Sequence, residues 1–503
     1  MRKIAFIEIG EDISRNWCPN LIYALVKRDL EKKGHKCDII RLSKNEIIKK
    51  KKLLDEFKKF LKKEKYDLIG IQSSIFVFVS GFIKKSCPNT KILLGGSNSI
   101  ASVDKKDYDF LIHGPARESI LKLVNYLDGK EKLSNIPNLF YKKNRTIFHT
   151  SKIKNFDLKI ELTPFHPDFD RINFGVMKNN KITTANIVSS LGCPFTNSVR
   201  NNPYYKNVKF EIREFKNLDN SALEVVNNYY NKIGNGCSFC NICTDRDFNT
   251  LPEKKLIPFL IDQVKYLTEN YPSIERIQIN DENSFRYIDK FFEEMKSLNI
   301  KQIEFLVGGR ADYFLINISN IKQALSTIKN TDFVLNIACI GFENFSQKEL
   351  DIYNKGTTVK QNVKTLEEFK KLKQNLPNNF RYKKDRDHGM ILFNPWTTIK
   401  DLKTNLHYIK KYEFTELLNP LSFLANYRLA IYPYTPVYFK AKKEKRIIDQ
   451  KNMFRYGSVN WRFKNSKMDF IYRNLIQYCR SYNNLPNTKI REHKVEIEFL
   501  EKF

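Results

Sequence analysis

Cys193 lies in Gly192-Cys193-Pro194-Phe195, and the next close-set thiols, Cys237-Ser238-Phe239-Cys240, follow only after 43 intervening residues. If both halves serve one site, the chain between them must leave that site and come back to it. This closure constrains the middle of the molecule more than any other feature, and it is permitted because loop-closure entropy grows only as the logarithm of length. Three soft thiolates suit iron-sulfur chemistry, and three of them on a four-iron cluster leave one iron open to a small molecule. Cys243 extends the second half into a contiguous Cys237, Cys240, Cys243 triad. That triad offers an alternative ligand set without Cys193 or, with it, a four-cysteine zinc site.

The 503 residues exceed one ordinary core and predict two to four units of about 100 to 200 residues each. No run of about eighteen apolar residues occurs, and the start, Met1 to Ile9, is interrupted by Glu8 and lacks a small-residue cleavage site. The expectation is a cytoplasmic protein without a membrane span. Nine cysteines, an odd number with four in one motif, fit a metal protein in a reducing compartment better than a disulfide scaffold. The net charge of +31 raises nucleic acid as a partner. Its dispersal argues otherwise: lysines run along the whole chain and outnumber arginines, the better base-reading residue. The run Lys49 to Lys52 continues into an amphipathic pattern with Leu53, Leu54, Phe57 and Leu61, which reads as a solvated helix face.

The first third has βαβ grammar. A buried strand over residues 3–9 is followed by a helix over Leu21–Lys33 ending at Gly34 and a strand over Cys37–Leu42. Strands at Leu68–Gln72, Lys91–Leu94 and Phe110–Ile112 come next, with helices at Phe78–Lys85 and Glu118–Leu127. These strands end in Ser73-Ser74, Gly95-Gly96-Ser97 and His113-Gly114-Pro115. Small residues at carboxyl ends are where ligands of doubly wound sheets bind, although ordinary turns use the same residues.

Beyond a connector over residues 152–182, strand Ala185–Val188 runs into the Gly-Cys-Pro stretch. Strands at Ile274–Asn280, Gln302–Val307, Phe333–Ile340 and Met390–Phe393 alternate with helices at Leu256–Glu269 and Tyr287–Leu298. Each strand ends in a polar cluster: Asp281-Glu282-Asn283, then Gly308-Gly309-Arg310-Ala311-Asp312, Gly341-Phe342-Glu343 and Asn394-Pro395-Trp396-Thr397. Barrel strands present such ends at one mouth, where carboxylates, Arg310 and a cluster meet one ligand. The bland alternatives are that Arg310 pairs with Asp312 and that Glu343 caps the next helix.

Two sets of motifs resemble one known family. In order, Pro19-Asn20-Leu21, Gly34-His35, Ile69-Gly70-Ile71-Gln72-Ser73, Leu94-Gly95-Gly96, Asp107-Tyr108-Asp109, Gly114 with Glu118, and Ile136-Pro137-Asn138-Leu139 resemble the cobalamin-binding domain of the cobalamin-dependent radical S-adenosylmethionine (SAM) enzymes. Gly192-Cys193-Pro194 with Cys237-Ser238-Phe239-Cys240 is similar to the cluster motif of the same enzymes, split here by an insertion. The resemblance implies a Rossmann-like cobalamin-binding domain, a partial (β/α)6 TIM-type barrel and a helical carboxyl-terminal extension. The corresponding divisions are residues 1–150, 151–182, 183–415 with insertion 196–235, and 416–503.

It also implies cofactors and site residues. Cys193, Cys237 and Cys240 would hold a 4Fe-4S cluster, with Cys243 as the alternative ligand. Phe239, Asp281, Glu282, Arg310 and Glu343 would surround SAM, and Ser73, Ser74, Gly95, Gly96, Ser97 and Gly114 would line cobalamin. No Asp-x-His-x-x-Gly stretch offers a lower cobalt ligand, and Gly114-Pro115-Ala116-Arg117-Glu118 replaces the family's Gly-Glu-Gly-Glu. The implied activity is reductive cleavage of SAM to a 5'-deoxyadenosyl radical, with methyl transfer to an unactivated carbon of a small-molecule or peptide substrate and flavodoxin or ferredoxin as reductant. Other readings remain open: radical SAM oxidation, cyclisation or rearrangement without cobalamin, a zinc-bearing nucleic-acid-binding protein, or an inactive scaffold. In the insertion, Val208–Ile212 alternates as a strand and Leu223, Val225, Val226 and Tyr229 recur at helical spacing, predicting a small folded excursion that serves as a lid.

Overall fold

The structure, a computed structural model, describes residues 1–482 except 11–15, 44–50, 73–75, 97–98, 175–180, 212–214, 243–246, 299, 301, 383–388, 413–427 and 455–457. The chain forms two units. One comprises Met1–Gly192, Ile212–Lys232 and Thr244–Gln278, and the other comprises Cys193–Glu211, Ile233–Cys243 and Ile279–Phe503.

In the first unit β1 (Lys3–Gly10) carries Ile4, Ala5, Phe6 and Ile7, all without exposed surface, as expected of a strand covered on both faces. It pairs in parallel with β2 (Lys36–Ser43) on one side and β3 (Leu68–Gln72) on the other. β4 (Lys91–Gly95) and β5 (Phe110–Ile112) continue the parallel run. Helices Leu21–Lys32, Lys51–Glu64 and Phe76–Ser86 make the crossovers, the first capped by the Asn20 side chain, which accepts from the backbone of Ile22 and Tyr23. β6 (Leu139–Lys143) and β7 (Thr146–His149) add an antiparallel hairpin beyond β5. The stretch expected as a connector contributes β8 (Ile172–Phe174), parallel to β2 at the opposite edge. The resulting order, β7-β6-β5-β4-β3-β1-β2-β8, reverses direction at β1, which makes the β1/β3 crevice the topological switch point.

The same unit positions the approach to Cys193. β9 (Thr184–Val188) ends where the Gln263 side-chain amide both accepts from Val188 N at 3.0 Å and donates to Val188 O at 3.1 Å, standing in for a strand partner. β10 (Ser190–Leu191) then pairs antiparallel with β11 (Asn249–Thr250), just ahead of helix Glu253–Asn270.

β12 (Arg276–Asn280) runs through the division between the units. It belongs to a five-stranded sheet, ordered β15-β14-β13-β12-β9, with β13 (Glu304–Arg310), β14 (Val334–Gly341) and β15 (Phe380–Tyr382) paired in parallel in the second unit. A sixth strand over Met390–Phe393 is not formed. Met390 and Phe393 make isolated bridges to Glu343 and Arg428, and the Ile391 carbonyl accepts from the Asn344 side chain and the Tyr353 hydroxyl instead of a ladder. The carboxyl-terminal region departs from its expected all-helical character. Helices Pro436–Lys443 and Ser466–Tyr482 flank an antiparallel hairpin of β16 (Ile447–Phe454) and β17 (Ser458–Trp461). The hairpin buries Trp461, whose indole donates to Leu429 O at 2.8 Å and stacks under Arg428 at 3.9 Å, contacts that a lysine-rich spacing conceals.

The insertion returns to its origin, as closure required. In the second unit Ser198 and Asn235 form an antiparallel bridge, and Gly236 N donates to Asn197 O at 3.0 Å. In the first unit its helix, Asn220–Asn231, is seated on β7. Ile147 N donates to Asn217 O at 2.7 Å, Asp219 N donates to Ile147 O at 2.9 Å, and Ser221 Oγ exchanges bonds with the His149 backbone. The excursion expected as a lid thus has its helix fixed to the sheet edge. Residues 208–211 form no strand: Phe210 packs on Phe439 at 5.6 Å with Arg200 over its face at 5.0 Å, so ring packing replaces a ladder.

Candidate functional site

Ser238, fully buried, anchors the Cys-Ser-Phe-Cys turn. Its N–H donates to Tyr353 O at 2.8 Å, its hydroxyl donates to Ile352 O at 2.9 Å, and its carbonyl accepts from Val437 N at 3.0 Å. With Cys240 N donating to Cys237 O at 3.0 Å, this turn has little freedom. The Phe239 ring meets Tyr353 edge-on at 5.7 Å.

Cys193, Cys237 and Cys240 are thiols, none of them in a disulfide. Burial raises the pKa of Cys240, and the neighbouring charges of Cys237, Glu282 and Cys193 raise it further against a donor from Ile242 N at 3.4 Å. Burial also raises Cys237, while Lys355 and Arg310 pull it down and Cys193 acts in the upward direction. The three thiols therefore lie within each other's electrostatic reach. Among the described residues no three His, Cys, Asp or Glu side chains converge as ligands of a single metal ion. Ligands of one zinc ion sit about 2.3 Å from the metal and crowd together, whereas a four-iron cluster spreads three thiolates over three irons. The donor set of three reduced thiols beside two cations fits the cluster. Cys243 lies outside the described residues.

Arg310, the last residue of β13, supplies one cation. It does pair with Asp312, in a two-pronged contact at 3.0 and 2.9 Å, and this clamp aims its remaining edge. Nη1 then stands 3.5 Å from Cys237 Sγ, and the guanidinium lies 3.8 Å over the Phe195 ring and donates to Lys355 O. Burial opposes its charge, but Asp312 and Cys237 hold its pKa above the ordinary value.

Lys355 is the second cation, a residue outside the motifs read from the sequence. Its ammonium meets Glu343 Oε1 at 2.8 Å with both side chains almost wholly enclosed. Burial works against this charge too, yet Glu343 and Cys237 raise its pKa. A Cβ on Gly341 would lie 2.6 Å from Lys355 Nζ and 2.7 Å from Glu343 Oε1, so the pair exists because position 341 has no side chain. Glu343 therefore forms an ion pair, while Ser346 holds the N-cap position of the following helix, Gln347–Ile352.

The two adjacent carboxylates after β12 separate. Asp281 is turned toward its own loop, accepting from Tyr287 OH at 3.1 Å and Asn283 N at 2.8 Å, with Arg286 at 3.5 Å. Glu282 lies in the field of Lys355 and Arg310, with burial and then Asp281 raising its pKa. Glu282, Arg310 and Glu343 thus share the surroundings of Cys237 and Cys240. Asp281 supports the turn.

In the first unit Gly95, Gly96 and Gly114 stand at the carboxyl ends of β4 and β5, while Ser73, Ser74 and Ser97 lie outside the described residues. Among the described residues a Cβ on Gly95 would have Ile112 O at 3.7 Å as its nearest neighbour, an ordinary contact. His113 Nδ1 is 3.0 Å from Ser99 Oγ, and its ring meets Tyr229 of the insertion edge-on at 4.9 Å. Arg117, in the segment that departs from the family pattern, points inward, bonded to Asp29 at 2.7 and 3.2 Å and to the Glu161 carbonyl at 3.1 Å. A small-residue edge of this kind is where ligands of doubly wound sheets bind.

No family model matches the chain, and no curated protein matches its sequence. Solved structures do match in fold. OxsB, a cobalamin-dependent S-adenosylmethionine radical enzyme with aqua-cobalamin bound, aligns over 100% of this chain and 71% of its own, with a TM-score of 0.60 at 14% identity. TsrM, a radical S-adenosylmethionine methyltransferase from Kitasatospora setae with cobalamin and a [4Fe-4S] cluster bound, aligns over 88% of this chain and 78% of its own, with a TM-score of 0.53 at 11% identity. Both are radical S-adenosylmethionine enzymes solved with cobalamin bound. At these identities the likeness is one of fold, and it agrees with the α/β architecture and parallel sheets described above. No described helix is long and apolar enough to cross a membrane.

Proposed function

We propose that this protein is a radical SAM enzyme that cleaves SAM reductively, and that cobalamin bound at the first unit makes methyl transfer to an unactivated carbon its reaction. The cluster would supply one electron to the SAM sulfur-carbon bond, and cobalamin would carry a methyl group. The observation carrying this reading is the meeting of the reduced thiols of Cys193, Cys237 and Cys240 with Arg310 and Lys355 near the ends of parallel strands. The chain's own residues position and neutralise. Cys193, Cys237 and Cys240 would hold the cluster, and the Arg310-Asp312 clamp keeps a donor at the cysteine loop. Glu282, in the field of Lys355 and Arg310, would receive a cationic amino group, and Glu343 is kept in place by Lys355. Gly95, Gly96 and Gly114 would lie against the corrin ring. Flavodoxin or ferredoxin would supply the electron, and a small molecule or peptide would be methylated.

A radical SAM reaction without cobalamin is the second reading, favoured by the inward commitment of Arg117 at a position where the family pattern differs. Anaerobic purification with iron, sulfide and cobalamin assays, then incubation with SAM and a strong reductant, tests both. Iron and sulfide near four per chain, retained cobalamin and 5'-deoxyadenosine formation are expected. Single Ala substitutions of Cys193, Cys237 and Cys240 should abolish iron binding, and Cys243→Ala should spare it. Colourless protein that takes up only zinc would overturn the assignment, and 5'-deoxyadenosine without cobalamin retention would select the second reading.

A further inference from the structure

The insertion leaves one physical problem: an interrupted motif forms a site only if something holds its two shores together. Asn354 touches both. Its side-chain N–H groups donate to Asn197 O at 3.1 Å, on the Cys193 side, and to Gly236 O at 2.8 Å, immediately before Cys237. Its side-chain oxygen accepts from Asn202 Nδ2 at 3.1 Å, and the same Asn202 amide donates to Asp351 O at 2.6 Å. The two shores also bond directly, through Gly236 N to Asn197 O at 3.0 Å and through the Ser198-Asn235 bridge.

Asn354 is held in place by its own helix end. Helix Gln347–Ile352 closes with Lys355 N donating to Leu350 O at 3.0 Å, and Asn354 takes the left-handed conformation at φ 48°, the position usually given to glycine. Asparagine is the side chain that tolerates this backbone best while still offering two donors. The next residue, Lys355, forms the pair with Glu343, so one helix terminus serves both the shores and the charged surroundings of Cys237.

We propose that Asn354 is a positioning residue that closes the split motif, replacing the short covalent link of a compact motif with hydrogen bonds from one amide. The proposal rests on Cys193, Cys237 and Cys240 holding a cluster. It predicts that the need for Asn354 scales with the length of the loop it closes, because a shorter excursion costs less entropy to close.

Asn354→Gly keeps the left-handed turn and removes both donors, so it separates closure from backbone strain. After anaerobic reconstitution, its iron should be lost to a chelator about tenfold faster than from the wild type, the effect expected of two lost hydrogen bonds. The thermal midpoint of the apo-protein should stay close to wild type. Asn354→Asp, which keeps the shape but not the donors, should match Asn354→Gly. Replacing residues 212–232 with a four-residue Gly/Ser link in the Asn354→Gly background should restore slower iron loss. Wild-type iron retention in Asn354→Gly would overturn the proposal. So would an apo-protein midpoint lowered in step with the iron loss and not relieved by the shorter loop, which would make Asn354 a general folding residue. Absence of iron from the wild type would instead overturn the cluster assignment itself.

Discussion

Nη1 of Arg310 stands 3.5 Å from Sγ of Cys237 while the rest of the same guanidinium is clamped on Asp312. The planar fork makes this possible, since one face lies on Phe195 and two edges bond in different directions. A lysine would keep the charge and lose the aim.

Arg310→Lys and Arg310→Gln should therefore fail alike, each slowing 5'-deoxyadenosine formation at least about tenfold, the scale of one charge-assisted hydrogen bond. Full activity in Arg310→Lys would show that only the positive charge matters there.

The Lys355-Glu343 pair predicts non-additive stability. Removing one partner leaves a buried charge alone and costs about 3 to 5 kcal/mol, whereas removing both leaves neither. Urea unfolding of Lys355→Met, Glu343→Gln and the double variant should give a double variant more stable than Lys355→Met. Simple addition of the two single losses would remove the coupling.

Gly95 separates binding from folding. Among the described residues a Cβ there meets nothing nearer than Ile112 O at 3.7 Å, in contrast to Gly96 and Gly114, whose positive φ of 92° and 117° resists any side chain. Gly95→Leu should keep the wild-type thermal midpoint and lose cobalamin on gel filtration. Retained cobalamin would move the corrin away from this edge.

Much of this architecture was legible because apolar runs and their carboxyl-terminal small residues mark parallel strands wherever a strand is buried on both faces. Leu68–Gln72 was readable to the residue, and β1, β4 and β14 to within one or two. β8 was not, because Ile172–Phe174 is three partly exposed residues at an edge and shows no alternation. Met390–Phe393 reads as a strand, but side-chain donors from Asn344 and Tyr353 both occupy the Ile391 carbonyl, a long-range effect that no local pattern carries. Near Cys237 and Cys240, the strand-end polar clusters pointed to Arg310, Glu282 and Glu343 as neighbours. Lys355 and Asn354 stayed hidden because their partners are distant in sequence, across a helix end whose left-handed turn lacks a glycine signal.

Glu349 gives the protein a predicted pH dependence. Its carboxyl has no exposed surface, accepts from the Asn394 side chain at one oxygen, and lies 3.8 Å from the Lys348 ammonium at the other. Burial, with Asp401 adding to it, raises its pKa to about 8, against the partial relief of Lys348. An acid held above its unfolded value of about 4.3 binds a proton more tightly when folded, so its contribution is most favourable below that value. Stability should then decline as pH rises toward about 8, where the folded group ionises. The slope is at most about 1.4 kcal/mol per pH unit for one proton. Glu349→Gln keeps an acceptor for Asn394 and removes the titration. Its urea midpoint should change less between pH 5 and about 8 than that of the wild type. It should also exceed the wild-type midpoint at the upper end of that window. Parallel pH profiles for the two proteins would show that Glu349 does not set the dependence.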